Sequence, residues 1–291
     1  MTSTARATST DRNQLVHDIP SWPDHPLRRL TADEIVSARA ILERDVLVDA
    51  DTRFVHIGLD EPDKRDVRGY EQDPAGNPVD RRCRLYVLDR ATGAGSRVTV
   101  SLTDKTIVAN TPVDPVRDGQ VALLDEEFEI ADKLVAADEG WCAALRRRGI
   151  DPAKVRGVPL SAGHFGFADE IGKRMARVVG FCQEDDRDLP WAHPIDGLVA
   201  YVDLIAQQVQ KIVDDVDLPV PQERGEWDAE PHAAPTRTTL KPLEITQPEG
   251  PSFAVVDDVL TWENWSVRIG FDGREGLVLH QVSFLDQGRR R

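Results

Sequence analysis

The chain of 291 residues lacks any apolar run near the ~18 residues a membrane span requires, and its Ser/Thr/Ala-rich start, Met1 to Thr10, has no hydrophobic segment behind it. A membrane-embedded and an exported protein are thereby excluded, and a cytoplasmic location is expected. Cysteine is scarce: Cys83, Cys142 and Cys182 are far apart, odd in number and never in CxxC spacing. Neither a disulfide framework nor a thiolate metal site fits that pattern, whereas buried free thiols in a reducing compartment do. Clustered basic charge is missing as well. The net charge is -15, with acidic residues spread throughout, which excludes nucleic acid as a partner. An acidic field favours cationic ligands, amines among them, although its ordinary role is solubility. No Gly-x-Ser-x-Gly or metal-binding motif is present, which removes the hydrolases that depend on them.

What is there is an ordinary globular composition, 40% hydrophobic, long enough for roughly two to three domains. Residues 1–25, with Pro20 and Pro23, predict a disordered arm. Thr31-Ala32-Asp33-Glu34 is a capping box that opens a helix with Ile35, Ala38, Ile41 and Leu42 at helical spacing. Strands are expected at Arg53 to Leu59, Arg81 to Asp89 and Arg97 to Leu102, with a return over Lys105 to Ala109. A turn-rich loop at Asp73 to Pro78 separates the first two strands. One helix on an antiparallel sheet is the natural architecture for residues 26–113.

The pattern repeats over residues 120–218. Leu124, Phe128, Ala131 and Leu134 mark an amphipathic helix with acidic residues at its start, and a shorter helix runs from Asp138 to Arg148, with Gly149 as its stop. Strands follow at Met175 to Gln183, Gly197 to Leu204 and Gln207 to Val213. The connection at Ile205 and Ala206 lacks the Gly or Asn of a favoured two-residue turn. Prolines punctuate a linker over 219–239. In residues 240–291, Trp265, Val267, Ile269 and Phe271 alternate with polar residues or glycine, and Val278, His280, Val282 and Phe284 alternate on the way back. The result is a long hairpin that is too little to close a core of its own.

The run Lys241-Pro242-Leu243-Glu244-Ile245-Thr246, with Trp262-Glu263-Asn264-Trp265-Ser266 and Gly270-Phe271-Asp272-Gly273-Arg274 to His280, resembles the start of the catalytic domain of copper-containing primary-amine oxidases. Val158 to Gly163 and Trp191-Ala192-His193-Pro194-Ile195-Asp196-Gly197 through Asp203 are similar to the second of two small domains preceding it in that family. The resemblance implies an α+β fold: two tandem cystatin-like helix-on-sheet domains, then the first strands of a large β-sandwich. It also implies oxidation of primary amines by molecular oxygen to aldehyde, ammonia and hydrogen peroxide, in a homodimer. Its cofactors would be copper, held by three histidines, and a topaquinone made from a tyrosine in Asn-Tyr-Asp/Glu.

Neither cofactor site can be found in the chain. Tyr70, Tyr86 and Tyr201 do not follow asparagine, and no His-x-His pair exists among His17, His25, His56, His164, His193, His232 and His280, which are expected to be surface or locally bonded residues. No catalytic or metal-binding residue is therefore assigned. By motif position, Phe128, Pro159, Leu160 and Trp191 would line the entrance of the amine channel, where apolar walls select apolar amine tails. Packing is the competing role for each. His164 stands where the family commonly has a small apolar residue. Coding sequence is expected to continue beyond Arg291 with the missing motifs. The alternative is a non-enzymatic binding module or a degenerate remnant of an amine oxidase.

Overall fold

In the computed structural model, residues 25–163, 165–224 and 237–291 are described; the arm expected at 1–25 lies outside them apart from His25, as do His17, His164, His232 and the middle of the expected linker. Thr31 caps helix α1 (Ala32–Arg44): its hydroxyl accepts from the Glu34 amide at 3.2 Å, and Glu34 accepts from the Thr31 amide at 2.8 Å. Ala38, Ile41 and Leu42 form the buried stripe, while Ile35 is 38% exposed at the mouth of a cleft. The stripe covers one face of an antiparallel meander of β1 (Thr52–Leu59), β2 (Arg82–Asp89), β3 (Gly95–Ser101) and β4 (Thr106–Val113). Leu85, Val98, Val100 and Cys83 complete this core, and burial pushes the Cys83 thiol up to about 12, so it stays protonated.

Helix α2 (Lys64–Gln72) was not expected from the sequence, because Lys-Arg-Asp-Val-Arg-Gly-Tyr-Glu-Gln is polar nearly all round and lacks a side-chain cap. Only Val67 is buried, so docking rather than propensity holds it.

The second domain opens with α3 (Asp125–Ala136) and α4 (Glu139–Arg147), whose N-cap Asp138 accepts from the Trp141 amide at 2.8 Å and whose stop, Gly149, has φ 73. They bury Ala131, Val135, Trp141, Ala144 and Leu145 against the meander β5 (Val155–Ser161), β6 (Met175–Cys182), β7 (Pro194–Asp203) and β8 (Gln208–Asp214). Strand β5 contains Gly157 and Pro159, which argue against a strand in sequence; it is tolerated because it lies at the sheet edge. The unusual β7–β8 turn is held by Asp203, whose carboxylate accepts from the Ile205 and Ala206 amides at 3.1 and 2.9 Å, while Gln207 takes φ 50.

The duplication extends to one detail. In each domain the glutamate that closes the box at the first helix also receives an arginine placed just before the second strand. Arg81 donates to Glu34 at 2.8 and 3.1 Å and to the Pro26 and Arg29 carbonyls. Arg174 donates to Glu127 at 2.5 and 2.6 Å and to the Val121 and Ala122 carbonyls. Each arginine thus ties the segment entering the helix to the sheet it covers.

The C-terminal hairpin belongs to a larger sheet: β9 (Phe253–Val256), β10 (Val259–Trp262), β11 (Trp265–Asp272), β12 (Gly276–Asp286) and β13 (Arg289–Arg290). The expected alternation holds along β11 and over Gly276 to His280, with Arg268, Asp272, Val278 and His280 toward the first domain. It is broken at Gln281, which has φ 52 where the register with β11 shifts. Buried Arg268 donates to the Asp257 carbonyl at 2.9 Å and contacts Gln281, which donates to Glu71 of α2 at 2.6 Å. Phe271, Leu277, Leu279 and Val282 stay more than half exposed. Among the described residues no helix is long and apolar enough to cross a membrane.

Candidate functional site

Three of the four channel candidates lie on or against the edge strand β5, on both of its sides, and the fourth, Trp191, sits over the neighbouring strand β6. A Cβ at Gly157 would meet Asp132 of α3 and Val178 of the core, so Gly157 and Pro159 face the helices; Phe128, one turn before Asp132, lies on the same helix face. Phe128 and Pro159 are half-buried, and Phe128 stands beside the core rather than within it. Leu160 points the other way, to the open face of the sheet, where it pairs with Arg177 and is 50% exposed. Trp191 is 57% exposed over the same face, its ring T-shaped against Phe181 at 5.1 Å. Phe181 and Arg177 are four residues apart, about 13 Å along the strand. Leu160, Val158, Val179, Phe181 and Trp191 therefore make one apolar platform ending at the rim of β5.

Beyond Leu160, Arg177 holds down the loop that follows β5, a feature the sequence reading missed. Its guanidinium bonds the Ala162 carbonyl and Glu170, and it stacks between the Phe165 and Tyr201 rings, 4.8 Å from each centroid. Lys211 lies on Phe167 and Tyr201 at 5.3 and 4.6 Å. The available signal was an arginine on the outward period of an otherwise apolar strand, Met175-Ala176-Arg177-Val178-Val179.

The four described histidines, expected to be surface or locally bonded residues, are all engaged by neighbouring groups, and His25 and His193 are buried. His25 is buried: its Nδ1 accepts from the Leu27 amide and its Nε2 faces Glu71 at 3.3 Å. Burial, Arg268 and His280 outweigh Glu71 and lower its pKa to about 4. His56 and His280 face Asp272 and Glu61 across the cleft between the first domain and the C-terminal sheet, at 3.7 and 3.8 Å. That cleft encloses about 770 Å³ between Ile57, Arg28 and Arg84 on one side and Asp272, Val278 and His280 on the other. His193 sits in a second cleft of about 450 Å³ with both ring nitrogens engaged, Nδ1 at the Pro221 carbonyl and Nε2 at Asp188. None of the four channel candidates lines either cleft.

Neither of the family's cofactors fits these residues. Among the described residues no three His, Cys, Asp or Glu side chains converge, and the four described imidazoles are tied to carboxylates, or to a carboxylate and a carbonyl, at separate places. Tyr70 and Tyr86 pack against His25 and His56, and Tyr201 lies under Arg177 and Lys211.

Residues 31–110 match the family model of the AGAO-like N2 domain, and residues 126–229 match that of the copper amine oxidase N3 domain. The chain is 45% identical, over 97% of its length, to histamine oxidase of Arthrobacter globiformis. It belongs to the copper amine oxidase family. It is also 37% identical over 91% of its length to a primary amine oxidase of Arthrobacter sp. (strain P1). The chain covers 42% and 39% of those two relatives. In fold it is similar to the copper-containing benzylamine oxidase of Hansenula polymorpha, with a TM-score of 0.71 at 19% identity, covering 91% of this chain and 43% of that one.

Proposed function

We propose that these domains form the substrate-entry part of a primary-amine oxidase, which turns primary amines and oxygen into aldehyde, ammonia and hydrogen peroxide. The observation that carries the reading is the 45% identity to a histamine oxidase across nearly the whole chain. In this reading the rim of β5 faces the amine's path, with Phe128 and Pro159 on one side and Leu160 and Trp191 on the other. An exposed tryptophan held edge-on by Phe181 offers a preorganised apolar wall, suited to amines with aromatic or apolar tails. Copper, topaquinone and the homodimer contact would be supplied from outside the described residues.

The test is peroxide production by the copper-loaded complete gene product that carries this chain. Trp191→Ala is expected to raise KM about tenfold for an aryl-alkyl amine, from roughly 1.5 kcal/mol of lost apolar contact, and to leave methylamine unchanged. The 291 residues alone are expected to give no peroxide. A complete gene product that oxidises no primary amine would overturn the activity; an equal effect on both amines would remove Trp191 from the channel.

A further inference from the structure

The chain leaves the second domain through a contact built on one imidazole. His193 follows the 3-10 turn Pro190–Ala192 and is only 6% exposed. Its Nδ1 lies 2.6 Å from the carbonyl oxygen of Pro221, in the segment that leads away from β8. Its Nε2 lies 3.0 Å from Oδ1 of Asp188, whose side chain is 2% exposed. A carbonyl and a carboxylate can only accept, so both contacts are hydrogen bonds at once only when both ring nitrogens carry protons. A neutral imidazole has one N–H. It would keep the stronger, charge-assisted bond to Asp188 and turn a lone pair toward the Pro221 oxygen.

We propose that His193 is a proton-operated latch: the imidazolium clips the segment at Pro221 to the second domain, and loss of one proton frees the Pro221 carbonyl, leaving the segment tethered only farther on, by Arg224 on Asp185. The surrounding charges fit this assignment. Arg224, on the departing segment, pairs with Asp185 at 3.0 Å through both carboxylate oxygens and holds that carboxyl below its usual range. Lys154 and Glu184 pair with each other at 2.6 Å on the opposite wall, and the lysine is held up by that contact. Asp151 caps the turn that carries Lys154, through the Ala153 amide. Cys182 also lines the cleft, and burial raises its thiol. The imidazole is thus the group suited to change charge near neutrality. Burial disfavours its charged form, but the Pro221 carbonyl and Asp188 prevail over burial and Arg224, and its pKa is raised. A raised value means that the latch is fully closed below about pH 6.5 and opens as pH rises through the folded-state pKa.

The test is an NMR titration of the whole 291-residue chain from pH 5.5 to 9, following the His193 ring together with the Val220 and Gln222 amides. The latch requires a ring midpoint above about 6.5 and amide shifts that share that midpoint. In His193→Gln the amide step should vanish. Amides that ignore the ring titration, or a step that persists in His193→Gln, would overturn the proposal. Should that variant fail to fold, Asp188→Asn serves instead: it removes the charge, and both midpoints should fall together by ~1 pH unit. An unmoved midpoint, or a ring midpoint that falls without the amides following, would equally overturn it.

Discussion

The two α+β domains use the same clasp in different surroundings. Glu34 and Glu127 both stand three residues after the N-cap, and Arg81 and Arg174 both immediately precede the second strand, yet the first pair is 19% and 18% exposed and the second 6% and 1%. The difference follows from what flanks each helix. In the second domain the segment entering α3 is covered by the first domain, with Val121 8% exposed and lying against Gly95 of β3, whereas the residues entering α1 line the cleft that meets the C-terminal sheet. A charge pair at the mouth of a cleft can be replaced by water, while a sealed one cannot. Burial, and not the number of hydrogen bonds, should therefore decide what each clasp contributes.

Removing one partner breaks the comparison most sharply. Arg174→Met strands the Glu127 carboxylate in a dry site and should cost about 3–5 kcal/mol in urea unfolding. Arg81→Met should cost only about 1–2 kcal/mol, since water can reach Glu34. Equal losses would show that burial is not what separates the two.

Acid should act next, through Glu34. Burial works against its charge, but Arg81, the Thr31 amide and Arg28 hold its pKa at about 2 against an ordinary 4.5. A depressed carboxyl contributes fully above its unfolded value and loses that contribution as pH falls toward the folded one. Stability should thus drop by on the order of 2 kcal/mol between about pH 4.5 and 2, and Glu34→Gln should flatten that part of the profile.

The joint at His25 adds a loss at higher pH. A neutral imidazole is required there, because its Nδ1 accepts from the Leu27 amide. Its contribution is complete above about pH 6.5 and fades as pH falls toward about 4, so amide protection around Gln281 should weaken over that window. His25→Asn should remove the step, whereas a seam unchanged down to pH 4 would contradict the role.

The smallest effect compares the caps themselves. Thr31 supplies a hydroxyl to its helix; Leu124, at the equivalent position, has none and contributes only its amide, which donates to Glu127 at 2.8 Å. Thr31→Ala should cost about 1 kcal/mol, measured by thermal unfolding.

Much of the fold was legible because its signals are local. The capping box at Thr31, the stop at Gly149 and the period-two runs of β2, β3 and β11 are fulfilled within a few residues of where they are written. What was missed depends on neighbours far along the chain. Helix α2 rests on Val67 finding a place to dock, and β5 on an edge that tolerates Pro159. Arg268 is buried because the face of β11 that carries it turns toward the first domain, an orientation that alternation cannot specify.

The candidate site divides in the same way. Leu160 and Trp191 could be named from their motifs, but Arg177 and the loop it holds became visible only when Leu160 was found paired to it in the sheet. The sequence by itself determined the family, the helix-on-sheet repeat and the absence of Asn-Tyr and His-x-His motifs, because these are properties of residue order. Only the tertiary structure decided which charges are sealed, which histidines must be neutral and which protonated, and which face of each sheet stays open. Those depend on distance and solvent, and neither is set before segments 50 or more residues apart are brought together, as Arg174 is to Val121.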